Sequence, residues 1–216
     1  EIALQARAGD QALAATRAWR TAHPESLEPI RLQLQILLSM NRPNELAEPL
    51  RALLAATPAS ERAAVIGSLP RFLQRAADKK QAATLLEEVL QPDAYADAAT
   101  RAAAQAAIGR AWLAAGDGGR ALQLAKQALA QDPASAGAVA LALELMPTTP
   151  EAEALVTAAL ASPRADVALR RAYAGTLVTS QRYVEAVEQL ELVTRQQPEL
   201  AAPWLTLGAL QLKMRQ

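Results

Sequence analysis

The stretch that most constrains the fold is residues 102–133, in which two amphipathic helical patterns are joined by a short glycine-rich turn. The patterns cover residues 102–115 and 119–130. Small residues such as Gly109 and Ala121 alternate with bulky apolar residues, so two helices can approach closely and still fill the space around their contact. The stretch therefore predicts a helix hairpin.

Prolines that follow helical patterns recur along the chain at a nearly constant interval. The successive intervals are 34, 34, 41, 30 and 35 residues, a repeat period of about 34 residues. This period is typical of an array of helix hairpins that forms one quasi-one-dimensional unit. We therefore expect a single domain over residues 1–216, with a possible break near residues 92–101, where the interval lengthens. The prolines are Pro24, Pro58, Pro92, Pro133, Pro163 and Pro198.

The spacing within residues 102–133 resembles the tetratricopeptide repeat (TPR). The resemblance implies an all-α, right-handed superhelical solenoid of about six hairpins and near thirteen helices, with no sheet, that binds other proteins. Counted from Ala102, the residues that carry it are Ile108, Gly109, Trp112, Ala121, Ala128 and Pro133, at positions 7, 8, 11, 20, 27 and 32.

The same register predicts the remaining helices. Pro70 takes the position that Gly109 has in its own repeat and is expected to kink its helix. Trp112 and Trp204 fall at core positions, so we expect both to be buried. The expected helix pairs are 1–7 with 10–21, 29–39 with 44–56, 63–76 with 79–90, 135–146 with 151–161 and 166–179 with 183–196, and a further repeat begins at "PWLTLG".

A second resemblance concerns a family of TPR lipoproteins of the Gram-negative outer membrane. It is carried by "EIALQARAGDQALAATRAWRTAHPES" and "LPRFLQRAADKKQAATLLEEVL". One branch of that family is an adaptor for a periplasmic carboxyl-terminal-processing protease, so the resemblance implies a periplasmic location and a role in presenting substrates. Because the first residues look like the inside of a helix, we expect an internal fragment whose membrane anchor and targeting signal lie outside it. A cytoplasmic location stays open.

Composition argues against several classes of partner and chemistry. The formal net charge is zero, which removes the broad electrostatic footprint that nucleic acid or an anionic membrane would require. The chain has no cysteine, and His23 is its one histidine, so a metal site or a catalytic triad is not favoured. Carboxylates on the second helices are expected to face outward. We therefore expect no catalysis, no cofactor and no small-molecule substrate.

The inner face of the first helices is the expected binding surface, because it lines the groove in proteins of the TPR family. Its lining combines small side chains with arginines, which can hold carboxylates of a helical or extended partner segment. An ordinary solvated face is the alternative for these positions. For the protein as a whole, the alternative to a scaffold or adaptor is a structural component of a cell-envelope assembly or export complex. The predicted groove residues are Arg31, Gln35, Arg71, Gln74, Arg110 and Arg171.

Overall fold

The computed structural model describes the backbone of residues 2–161 and 165–215, and within those ranges the side chains from residue 8 onward. Helix accounts for 79% of the structure, and the described residues form no β-strand, which confirms the all-α prediction. Two 3-10 turns, Pro43–Glu45 and Pro92–Ala94, accompany the helices. The α-helices are α1 (Ile2–Ala22), α2 (Glu28–Ser39), α3 (Ala47–Ala56), α4 (Ala59–Leu73), α5 (Lys79–Leu90), α6 (Ala98–Ala114), α7 (Gly118–Gln131), α8 (Ala136–Leu145), α9 (Ala152–Leu160), α10 (Val167–Thr179), α11 (Tyr183–Gln196) and α12 (Ala201–Met214).

Helices pack mainly against helices that are close to them in the chain. α6 packs against α7 and α5, α10 packs against α11, and α11 packs against α12. Helices two apart also pack together, as in the pairs α4 with α6, α6 with α8 and α8 with α10. This arrangement of neighbours is compatible with an α-solenoid.

The predicted first hairpin is wrong, because α1 continues through the expected turn between residues 7 and 10. Gly9 lies within the expected turn, yet its φ is not positive. Its role is instead close packing: a Cβ added at Gly9 would lie 2.6 Å from the Met40 sulfur. The glycine therefore allows the residues after α2 to approach α1, and Glu1 lies outside the described residues.

The packing register predicted for residues 102–133 is confirmed. Ala121 is fully buried, and Gly109 is buried where α6 meets α7 and α8. A Cβ added at Gly109 would overlap the Leu141 side chain and lie 3.2 Å from the Leu124 Cβ. Trp112 is 5% exposed, as expected of a core residue.

Trp204 departs from the prediction, since 49% of it is exposed. Its indole N–H donates to the Pro198 carbonyl at 3.0 Å. α12 buries Pro203, Leu207 and Leu210, so its apolar contact is made by a different side of the helix. About half of Trp204 is therefore left in solvent.

The turn between α6 and α7 is the helix–helix connection that the sequence predicted. Gly116 has φ +87°, a conformation that glycine adopts without steric cost. Asp117 then caps α7, with its carboxylate accepting from the Arg120 N–H at 2.9 Å. A phosphate-binding reading of this glycine-rich turn finds no support, because no strand precedes it among the described residues.

The longer interval before Pro133 is occupied by a 3-10 turn and an extended α6. α6 begins at Ala98, four residues before the predicted start, and the Asp97 carboxylate caps it by accepting from the Thr100 N–H at 2.7 Å. Leu90 and Ala104 belong to the same apolar cluster, so buried contacts continue across residues 92–101. The predicted break there stays a prediction. Pro163, which marks a later interval, lies outside the described residues.

A polar network joins α9, α10 and α11. The Glu153 carboxylate accepts from the Tyr173 hydroxyl at 2.7 Å and from the Arg182 guanidinium at 2.7 Å. Arg182 also donates to Glu185 at 2.7 Å. These hydrogen bonds from Arg182 lower the pKa of Glu153 and of Glu185. The carboxylates therefore stabilise the fold when they are ionised.

Gly109→Leu should destabilise the protein by about 1–3 kcal/mol, because the added side chain has no room between α6 and its neighbours. The matched control is Gly67→Leu: Gly67 is exposed in α4, and a Cβ there meets nothing within 4 Å. Thermal unfolding followed by circular dichroism should show a lower midpoint for the first variant alone. Equal midpoints for both variants would contradict the packing described for Gly109.

Glu153→Gln should cost about 1 kcal/mol at pH 7, and the cost should shrink at acid pH. The lowered pKa of Glu153 means that its contribution is present above the ordinary glutamate pKa of about 4.3 and is lost as pH falls through the lower folded value. Urea unfolding of parent and variant at pH 7 and below pH 4 tests this. Glu199→Gln, which removes an exposed carboxylate without an ion-pair partner among the described residues, should show no such gap at either pH.

Candidate functional site

An open cleft of about 1100 Å³ lies between α2 and α4, and we call it the α2–α4 cleft. One wall is α2 and the other is α4 with the turn that follows it. Apolar and polar side chains share the lining, so the cleft differs from a solvated polar surface. Its principal residues are Leu32, Gln35 and Ile36 on α2 and Ser68, Arg71 and Phe72 on α4.

The cleft exists because α2 and α4 do not pack extensively against each other. In the corresponding pair α6 and α8, small residues allow the helices to meet: a Cβ added at Gly137 would lie 3.6 Å from the Ala106 Cβ. Larger side chains occupy the facing surfaces of α2 and α4, including Leu32, Ile36 and Phe72. α4 packs instead against α6, which leaves its other side open.

Leu32 is the apolar side chain of the cleft that is most open to solvent, with 41% of it exposed. Ile36 lies one helical turn later on the same side of α2 and is half-buried, as is Phe72 on the opposite wall. The neighbouring Leu34, on the core side of α2, is 3% exposed. The three cleft side chains thus present apolar surface to solvent next to a helix whose other face is fully packed.

Two arginines in the cleft make no side-chain hydrogen bond or ion pair with any described residue: Arg71 and Arg75. Arg75 lies four residues after Arg71, in the turn that follows α4. Many other arginines are engaged within the chain; Arg51, for example, pairs with Glu88 at 2.5 Å and Arg120 with Glu87 at 2.5 Å. The cleft therefore carries local positive charge that no acidic group of the described chain neutralises.

The predicted groove residues fall into different places. Gln35, Arg71 and Gln74 all line the α2–α4 cleft. Arg31 lies outside it and pairs with Glu28, on its own helix, at 3.1 Å. The structure thus brings together half of the predicted set: Gln35 on α2, Arg71 on α4 and Gln74 just after α4.

Arg110 and Arg171 line two smaller clefts. Arg110 shares a cleft of about 170 Å³ with Gln74, and its guanidinium already donates to Glu144 at 3.1 Å. Arg171 lines a cleft of about 180 Å³ between α10 and α12, beside Gly175. Arg71, Arg110 and Arg171 therefore lie in three different clefts, and of the predicted arginines only Arg71 lines the large one.

The cleft residues that the sequence prediction missed include Leu32, Ile36, Phe72 and Arg75. Leu32 and Ile36 are four residues apart, so they share a side of α2 that the buried stripe of Ile30, Leu34 and Leu37 does not include. Their exposure depends on how far α4 stands from α2. Arg75 could have been predicted from the sequence, because it follows Arg71 by four residues. Side chains with that spacing lie on one face of a helix.

Several carboxylates on the second helices are engaged in ion pairs. Besides Glu87 and Glu88, these include Glu153 and Glu185, which both contact Arg182.

His23 is exposed, with its Nδ1 3.7 Å from Glu25. The described residues contain no group of three or more potential metal ligands, and no described helix is long and apolar enough to cross a membrane.

If the exposed side chains of the cleft serve binding, they should be dispensable for folding. Leu32→Ala should change the free energy of unfolding by about 0.5 kcal/mol or less, because Leu32 is partly in solvent already. Leu34→Ala is the matched control two positions away and should cost about 2–5 kcal/mol through the cavity that it leaves. Urea denaturation measures both. A loss for Leu32→Ala as large as that for Leu34→Ala would show that Leu32 supports the core.

Comparison with known proteins adds no family to these observations. No protein-family model matches this chain. A search of curated proteins likewise finds no significant match. The resemblance to TPR proteins therefore stays a prediction.

Proposed function

We propose that this protein is an interaction scaffold that binds a segment of a partner protein in the α2–α4 cleft. The observation that carries the proposal is the combination of exposed apolar side chains with two arginines, Arg71 and Arg75, that have no acidic partner among the described residues. Apolar surface supplies affinity when it is buried, and guanidinium groups supply orientation by holding carboxylates. The favoured partner therefore carries apolar and acidic side chains close together.

The finer architecture belongs to the same proposal: a right-handed, TPR-like superhelix of hairpins. It is supported by the spacing within residues 102–133, the burial of Gly109 and Ala121 at the close contacts, and the packing between helices one and two places apart. In such an array the first helices line one surface. The α2–α4 cleft would then be part of that surface.

The adaptor role and the periplasmic location rest on the resemblance to outer-membrane TPR lipoproteins. In that reading the scaffold presents a bound protein to a carboxyl-terminal-processing protease. A membrane anchor would be supplied by a segment outside this chain. The cleft is compatible with this adaptor role, because it can hold one partner segment while the rest of the protein surface stays free.

A structural role in a cell-envelope assembly or export complex is the second candidate, and exposed apolar residues on α12 favour it. Leu205 is 74% exposed and Leu212 is 68% exposed on that helix. A fixed assembly would cover this surface permanently and give a constant stoichiometry. A scaffold that loads and releases partners through the α2–α4 cleft would not.

Affinity capture from extracts of the native cell, with quantitative mass spectrometry, tests the scaffold proposal. The double variant Arg71→Ala/Arg75→Ala should keep its helical circular dichroism and bind its main partner at least tenfold more weakly, a difference of about 1.4 kcal/mol. Binding of the purified partner by the parent should also weaken with salt, because the ion pairs are near solvent.

The charge-matched control is Lys80→Ala/Lys126→Ala, which removes two exposed cations from α5 and α7, outside the cleft. This variant should capture the partner as well as the parent does. Equal binding by the Arg71→Ala/Arg75→Ala variant and the parent would reject the cleft. A partner held at constant stoichiometry and lost on Leu205→Glu/Leu212→Glu would favour the structural role.

A further inference from the structure

We infer that the segment bound in the α2–α4 cleft is an acidic amphipathic helix. Two of its carboxylates, one helical turn apart, pair with Arg71 and Arg75, and its apolar face covers Leu32, Ile36 and Phe72. The inference rests on the proposed function and deepens it by naming the class of ligand. It is carried by the dimensions, the hydrogen-bonding groups and the charge of the cleft.

The dimensions suit a helix. The wall formed by α2 runs from Leu32 to Ser39, which is about 10 Å, or two turns, at about 1.5 Å per residue. The cleft volume of about 1100 Å³ lies slightly above the range of small-molecule pockets, which is about 300–1,000 Å³. A helix laid between α2 and α4 would replace the helix–helix packing that this pair lacks.

The hydrogen-bonding groups of the lining favour a helix over an extended segment. An extended backbone needs partners for its N–H and C=O groups, whereas a helix satisfies its own. The Ser39 hydroxyl already donates to the Ile36 carbonyl at 2.8 Å, and the Ser68 hydroxyl donates to the Val65 carbonyl at 2.7 Å. These two serines are thus committed to their own helices, which leaves the Gln35 and Gln74 amides as the other neutral hydrogen-bonding side chains of the lining. The described residues contain no strand edge that an extended segment could join.

The charge specifies acidic side chains and their spacing. Arg71 and Arg75 are four residues apart and line the same cleft. Residues at i and i+4 on a partner helix lie about 5–6 Å apart on one face, so two glutamates with that spacing can reach both guanidinium groups. The net charge of the chain is zero, so the attraction is local to the cleft and short in range.

Three synthetic peptides of about 18 residues, with capped termini, test the inference. The first is a helix-forming peptide with leucines at i, i+3, i+4 and i+7 and a glutamate pair at i and i+4 beside them. The second has glutamines in place of that glutamate pair. The third keeps the glutamates but carries two prolines that prevent the helix. Fluorescence anisotropy measures binding, and circular dichroism measures the helicity of each peptide.

The acidic helical peptide should bind at least tenfold more tightly than either of the other two. Arg71→Ala/Arg75→Ala should reduce its affinity at least tenfold, whereas Lys80→Ala/Lys126→Ala should leave it unchanged. A charge swap gives an independent readout: Arg71→Glu/Arg75→Glu should prefer a helical peptide with a lysine pair in the same positions. This preference cannot arise from loss of folding.

Equal binding of the proline peptide would overturn the helical form, and equal binding of the glutamine peptide would overturn the acidic one. Failure of all three peptides to bind the parent would overturn the inference as a whole. The proposed function is judged separately, by capture of the cellular partner. If that capture depends on Arg71 and Arg75 while the acidic helical peptide does not bind, the scaffold stands and its ligand is of another class.

Discussion

The close approach of α6 to α7 and α8 is the contact on which the rest of the structure depends. It is possible because Gly109 has no side chain where the Leu141 side chain and the Leu124 Cβ arrive. Alanines continue the contact: Ala102, Ala106, Ala128 and Ala138 are buried together where these three helices meet. Small residues give up side-chain area, but they let backbones approach and allow the larger residues around them to fill the space at high density. α6 can therefore pack against α4 and α5 on one side and against α7 and α8 on the other.

The α2–α4 cleft lies between two helices whose facing surfaces lack such small residues. Where α6 and α8 face each other through Ala106 and Gly137, the helices touch. Where α2 and α4 face each other, the larger side chains of Leu32 and Phe72 line the space between them, and the helices do not pack extensively. Apolar side chains that would belong to a core are then left partly in solvent, next to guanidinium groups without an acidic partner among the described residues. The α6–α8 pair thus forms a structural contact through small residues, whereas the α2–α4 pair, lined by larger side chains, leaves a candidate binding surface.

Electrostatics divides the arginines into two groups with different roles. Arg182 is bound to two carboxylates and ties α9, α10 and α11 together. Arg110 is held by Glu144, on the facing helix α8. Pairs of this kind orient neighbouring helices but have little capacity left for a partner. Arg71 and Arg75 are free of such contacts among the described residues, so their charge is available to a ligand. An arginine at a groove position is therefore a binding candidate only when the facing helix offers it no acid.

Residue periodicity in the sequence determined the helical class, the hairpin at residues 102–133 and the burial of Gly109, Ala121 and Trp112, because these follow from local spacing and side-chain size. Periodicity does not separate a glycine that permits a turn from one that permits a close contact, so it predicts a turn at Gly9 and divides α1 in two. It also placed Trp204 in a core, although burial requires a covering element that local pattern does not report. The tertiary structure alone decided that α2 and α4 stand apart. That separation depends on how all the intervening helices pack, and it is what exposes Leu32 and Ile36 beside Arg71.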